Sequence, residues 1–287
     1  VPAEADLHTE LRARGVSFER VNGAQAVADA ESPAANTSVV RLEKAPTIAV
    51  YAPDQTLPWD DAVLLALTYA EVPYETIYDA DVLAGRLGEF DWVHLHHEDF
   101  SGQYGKFFSA YGATAWYQQQ QQEAEASARA FGFAKVSQLK LAVAQAIRQY
   151  VVEGGFLFAM CSGADTFDLA LAAAGLDIVP AEIDGDGQTP GVRGMLDYSG
   201  TLAFQDFHPE LNVMEYEHAD IDDPPPPALR NPLTDYFTLF EFSARWDPVP
   251  TMLTQNHVAS VRGFMGQTTA FQPEMIKPGV VVLAKSP

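Results

Sequence analysis

Short apolar, β-branched runs alternate with stretches of helical spacing from residue 47 onward. Residues 47–51 (TIAVY) are the first such run, and Pro53-Asp54 supplies turn chemistry after it. Residues 59–70 (WDDAVLLALTYA) begin with acidic side chains and continue with apolar ones at helical spacing, which predicts a helix. Residues 74–78 (YETIY) and 92–96 (WVHLH) predict the next two strands, with a short helix over 81–87 between them. Apolar positions 139, 143, 147 and 150–151 predict an amphipathic helix over 138–153, stopped by Gly154-Gly155. Residues 156–160 (FLFAM) are apolar throughout, the pattern of a strand buried on both faces, and 165–174 predicts a helix ended by Gly175.

One helix between successive strands implies right-handed crossovers and a parallel sheet. The expected fold is therefore α/β: a three-layer sandwich with a mostly parallel sheet, flavodoxin-like, with an elaborated C-terminal half. Residues 1–45 are small, polar and turn-rich after a short helical stretch, and read as an N-terminal arm or linker; 46–287 form the main domain. An insertion is expected at about 98–137. Its glutamine run, 118–122, is flanked by good helix formers, so a solvated helix is expected there in preference to an aggregating segment. Beyond 176 the pattern loosens, with an acidic, proline-rich loop at 220–227 and apolar runs at 250–253, 258–261 and 280–284 that could extend the sheet.

Composition changes the picture mainly by exclusion. The 287 residues hold 17 basic and 39 acidic side chains, a net charge of −22. Nucleic-acid binding and attraction to anionic lipid both draw on clustered Lys and Arg, so neither is expected. The acidity fits either plain solubility or a salt-rich setting, where screening makes such a surface tolerable. The localisations expected are export to a periplasm or the cytoplasm of a salt-adapted bacterium. No apolar run approaches the ~20 residues of a membrane span. The single cysteine, Cys161, permits no intrachain disulfide.

That cysteine is also the best chemical feature. The apolar run 156–160 delivers Cys161 into a turn of small residues (Cys161-Ser162-Gly163), directly before a helix. In a parallel sheet, ligands bind outside the carboxyl ends of the strands. A Cys on such a turn is a nucleophile elbow, and the helix N-terminus behind it favours thiolate and offers amides to a developing oxyanion. A second constellation is His94, His96, His97, Glu98 and Asp99. On a strand, His94 and His96 share one face, and 97–99 then lie at its carboxyl end, the same edge as Cys161. Three imidazoles and two carboxylates could hold Zn²⁺ or a similar divalent metal, with His94, His96 and Asp99 as ligands. They could equally supply the base and orienting acid for Cys161, or form a polar strand end that hydrogen-bonds loops.

These residues carry a resemblance. The helix ending in Glu153-Gly154-Gly155, the apolar strand and Ala159-Met160-Cys161-Ser162-Gly163 resemble the class I glutamine amidotransferase-like superfamily over roughly 47–174, with Ala159 where the superfamily has Gly. The stretches 94–103 (HLHHEDFSGQ) and 263–271 (GFMGQTTAF) resemble a group of bacterial proteins often labelled asparagine synthetase B. A synthetase of that type needs an N-terminal Cys and a Ser-Gly-Gly-x-Asp-Ser loop. This sequence starts with Val1, and Ser162-Gly163-Ala164-Asp165-Thr166 lacks the second Gly, so that activity is not expected.

The superfamily resemblance implies a cysteine hydrolase acting on a small amide, ester or carbohydrate derivative, with no required cofactor. Cys161 would be the nucleophile, with Ser162 and Gly163 supplying oxyanion amides. The base would come from His96 or His97 with Glu98, or from His257, and Gln267 would lie near the substrate. His208-Pro209-Glu210 resembles the superfamily's His-x-Glu element but is too close in sequence to Cys161, and a chance match in a loop is the preferred reading. The alternative is a catalytically silent binding or assembly subunit that keeps the fold, engaging a protein partner or a second copy through its N-terminal arm.

Overall fold

The computed structural model describes residues 46–53, 56–222 and 270–282, the single positions 13 and 28, and the backbone of strands at 236–239, 260–262 and 284–285. The expected arm at 1–45 lies outside the described residues apart from those two positions. The chain divides into two units, Lys44–Asn231 with Phe264–Val282 and Val1–Glu43 with Pro232–Gly263 and Leu283–Pro287.

Among the described residues the larger unit is built on four strands: β1 (Ile48–Tyr51), β2 (Glu75–Ile77), β3 (Trp92–Leu95) and β4 (Phe156–Ala159). All pairings are parallel, in the order β2-β1-β3-β4, with Val50 beside His94 and His94 beside Phe158. The helices are α1 (Ala62–Tyr69), α2 (Asp79–Leu83), α3 (Phe108–Tyr111), α4 (Ala115–Ala130), α5 (Val136–Val152), α6 (Ser162–Ala172) and α7 (Ala181–Asp184). This is the flavodoxin-like α/β fold that the alternation predicts. The first crossover helix starts later than its composition suggests. Asp61 takes extended backbone angles and caps α1, its Oδ1 accepting the N–H of Val63 at 2.7 Å and of Leu64 at 2.9 Å. The glutamine run lies inside α4, as its helix-forming flanks predict.

Each face of the sheet buries a different cluster, because side chains alternate along a strand. Ala49, Tyr51, Val93 and Leu95 pack with Val82 of α2, Leu139, Val143 and Ile147 of α5, and Phe167 of α6. Ile48 and Val50 pack on the other face against Leu64 of α1. Helix α6 also carries Leu169 and Ala172 into a second cluster with Ile178, Phe204, Phe207 and Ile221, so it is buried nearly all round. Asp168 fastens that cluster by accepting the N–H groups of Leu202, Ala203 and Phe204 at 2.7–2.8 Å.

Strand β4 departs from expectation. Phe156, Phe158 and Met160 are 55%, 43% and 37% exposed, whereas burial on both faces is predicted for this run. The reason is strand order: β4 ends the four-stranded sheet, and α1 covers the opposite flank of this face, above β1. Of the late apolar runs, 250–253 lies outside the described residues, and the strands at the other two do not extend the parallel sheet. In the smaller unit, β5 (Tyr236–Leu239), β6 (Ser260–Arg262) and β7 (Ala284–Lys285) form a separate antiparallel sheet ordered β6-β5-β7. Among the described residues no helix is long and apolar enough to cross a membrane.

Candidate functional site

The strand order reverses direction at β1 and β3, and in such a sheet the crevice outside their carboxyl ends is the usual ligand site. Asp61, His96 and His97 sit there. His96 and His97 follow the last residue of β3, and Asp61 closes the loop leaving β1. His96 Nδ1 lies 2.9 Å from Asp61 Oδ2 and 2.9 Å from His97 Nδ1, and His97 Nδ1 lies 3.8 Å from Asp61 Oδ2. Burial pushes the Asp61 carboxyl up, but the bonds from His96, Leu64 and Val63 prevail and hold it below the usual carboxylate range. Burial, with His96 adding to it, holds His97 below the ordinary histidine value, so its ring is neutral at neutral pH.

Cys161 stands on the neighbouring strand end, between β4 and α6. Its backbone angles, φ 50 and ψ −142, are strained for a residue with a side chain, and its side chain is exposed. The turn is pressed onto β3. Gly163 N–H donates to the His96 carbonyl at 3.3 Å, and Ser162 Oγ donates to the His97 carbonyl at 2.8 Å. A Cβ on Gly163 would meet that His96 oxygen at 2.9 Å, so only glycine allows this approach. These contacts correct part of the oxyanion expectation. The Gly163 amide is engaged by the protein itself, which leaves the Ser162 N–H at the helix N-terminus.

The structure divides the expected His/acid cluster among different tasks. His94 points into the face shared with Trp92 and stacks on Phe158 at 5.1 Å; burial pushes it down to about 4. Asp99 accepts N–H groups from Ser101, Gln103 and Gly105 and faces His218 Nε2 at 3.3 Å. The expected metal set of His94, His96 and Asp99 is therefore not brought together; Asp61 and His97 join His96 instead. Glu98 is buried, with Oε2 unpartnered among the described residues, and burial pushes its carboxyl up to about 7. Among the described residues no imidazole hydrogen-bonds Cys161. Tyr216 lies near it, its hydroxyl raised first by burial and then by Cys161, Glu217 and Asp165. His208 pairs with Asp220 at 3.0 Å in an exposed groove, in keeping with a loop match. His257 and Gln267 lie outside the described residues.

Three participants escaped the sequence reading. Asp61 stood in a predicted first turn, although Asp directly before an apolar helical run is also a capping signal. Nothing local marks Tyr216 or His218; His218 faces Asp99, Cys161 raises the Tyr216 hydroxyl, and their segment packs on α6 through Phe204, Phe207, Ala219 and Ile221. A cavity of about 260 Å³ beside α5 and α6 is lined by Phe100, Ser137, Leu141 and Ala173, among others, but not by the elbow or the His pair. No protein-family model, curated protein or solved structure matches the chain.

Proposed function

We propose that the protein is a cysteine-dependent hydrolase of a small amide, ester or carbohydrate derivative, with an elbow similar to that of class I glutamine amidotransferase-like enzymes. The observation that carries this reading is Cys161 itself: an exposed thiol held at φ 50 on a strand-to-helix turn. Such strain persists only where the surroundings enforce it, and here Gly163 and Ser162 tie the turn to the end of β3. In the reaction, Sγ bonds to the substrate carbonyl carbon while the carbonyl oxygen takes the charge beside the Ser162 N–H. The thiol proton passes to an imidazole of the His96–His97 pair and then to the leaving amine or alcohol. Water cleaves the thioester, releases the acid and restores the thiol. Asp61 orients His96 in this scheme.

A second reading, a silent binding or assembly subunit, is favoured by the lack of any bond between Cys161 and a described imidazole. The two separate in an acylation experiment with 4-nitrophenyl acetate. A hydrolase gives a burst of nitrophenolate stoichiometric with protein, with the acetyl group mapped to Cys161 by mass spectrometry, and Cys161→Ser abolishes it. Acylation no faster in the folded chain than in the urea-unfolded one would sink the hydrolase and leave the binding subunit.

A further inference from the structure

Hydrogen bonding alone does not satisfy the way Asp61, His96 and His97 meet. Asp61 Oδ1 is occupied by the N–H groups of Val63 and Leu64, which turns Oδ2 toward the imidazoles. His96 Nδ1 is 2.9 Å from both that oxygen and His97 Nδ1. A neutral imidazole carries a single N–H. If His96 Nδ1 holds it, one proton is divided between two acceptors. If His97 Nδ1 holds it, bare lone pairs on His96 Nδ1 and Asp61 Oδ2 face each other. If both hold one, two N–H groups meet head-on. If neither holds one, three sets of lone pairs converge. Every arrangement leaves a contact shared or unsatisfied, and a cation at the point of convergence would satisfy all three. We propose that this point is a site for a divalent first-row metal, Zn²⁺ foremost, bound by Asp61 Oδ2 and by Nδ1 of His96 and His97.

The dimensions suit it. A tetrahedral ion with bonds of ~2.0–2.2 Å holds its ligands about 3.3–3.6 Å apart, and the separations of 2.9, 2.9 and 3.8 Å straddle that range. Two imidazoles and one carboxylate form the donor set of open metal sites, in which the remaining positions take water or substrate. The backbone bonds to Oδ1 are the outer support such a ligand needs. The other converging carboxylates, Asp177, Asp184 and Asp186, contrast with this, because Lys135 Nζ already bonds all three.

The inference does not rest on the hydrolase reading: a metal would take the Nδ1 lone pairs of the imidazoles assigned there as base, so that acylation scheme is one for the metal-free chain. The test is calorimetric titration of Zn²⁺ into the full, untagged chain after stripping with EDTA, with Co²⁺ absorption as a second readout. One ion per chain is expected, with Asp61→Asn, His96→Ala and His97→Ala each weakening affinity at least tenfold and removing the visible Co²⁺ bands. Asp61→Asn keeps a capping side chain and His97 is half exposed, so the fold, checked by circular dichroism, is retained. His94→Ala, Asp186→Asn and Cys161→Ser should bind as the parent does; Cys161→Ser would bind metal while losing acylation. No binding by the stripped parent, or binding that all three ligand variants leave unchanged, overturns the proposal.

Discussion

At the scale of single residues, buried acids on α6 set the pH response of the region behind Cys161. Asp165, one turn into α6, is buried, and burial pushes its carboxyl up to about 6 despite His218 and its own and Thr166's backbone N–H groups. Asp99 adds to the rise. An acid whose folded pKa is raised holds its proton in the folded state, so stability falls as pH rises from the usual 3.8 through about 6 and is flat above. The displacement is worth roughly 3 kcal/mol at ~1.36 kcal/mol per pH unit. Asp165→Asn should therefore gain up to about 3 kcal/mol at pH 7 and nothing at pH 3.5, measured by urea unfolding. Glu98 acts in the same direction up to about 7, so the variant keeps a weaker slope. His218, raised because Asp99 and Asp165 outweigh its burial, adds a further loss only above its ordinary 6.5. Equal stability gains at both pH values would show that Asp165 is not protonated in the fold.

At the scale of elements, helix α5 shows what the sequence discloses and what it withholds. The apolar stripe at 139, 143, 147 and 150 identifies the face that packs on the sheet, and all four residues are buried. Lys140 and Ala144 widen that face by one row, and nothing in the pattern distinguishes Lys140 from a solvated lysine. Its partners come from distant segments: Nζ bonds Asp79 at 2.9 and 3.0 Å, Tyr51 Oη at 2.8 Å and Tyr78 Oη at 3.1 Å. Burial lowers the ammonium's pKa, but Tyr78 and Asp79 outweigh it and keep Lys140 charged. Lys140→Met alone leaves the Asp79 carboxylate buried without its cation and should cost about 3–5 kcal/mol, whereas adding Asp79→Leu should recover most of that loss. Chemical denaturation of the two variants checks this; a double variant as unstable as the single one would mean the pair is not coupled. Strand β4 fails from sequence for a related reason. Its composition reads as interior, but its exposure follows from its place at the sheet edge, a property of the other three strands. Cys161 was legible because the strand, the small turn and the helix are contiguous in the chain. Asp61 was not, because its role depends on β1 and β3 being neighbours.

At the scale of the molecule, the net charge of −22 is opposed by few lysines. The chain has six lysines, and the four with described side chains are used internally. Lys106 Nζ is bonded to the carbonyls of Glu210 and Asn212, Lys135 to three aspartates, Lys140 to the Asp79 cluster, and Lys277 to Tyr198 and Thr201. These cations stitch segments together, and of the four only Lys135 reaches an outer carboxylate, Asp186. Salt thus acts on two terms of opposite sign. It weakens ion pairs, but Lys140 and Lys106 are buried and screened little, while repulsion among exposed carboxylates is screened fully. The repulsive term should win, so stability should rise with NaCl. Between 0.01 and 0.3 M, as the screening length falls from ~30 Å to below ~10 Å, the unfolding temperature should increase by roughly 3 °C or more, about 1 kcal/mol for a chain of this size. A plateau by ~0.3 M would assign the acidity to solubility, whereas a continued rise toward ~2 M would assign it to a salt-rich setting, since simple screening is complete well before that concentration. A transition temperature that is flat or falling over the first interval would show that the lysine ties, and not the acidic surface, dominate the electrostatics of this fold.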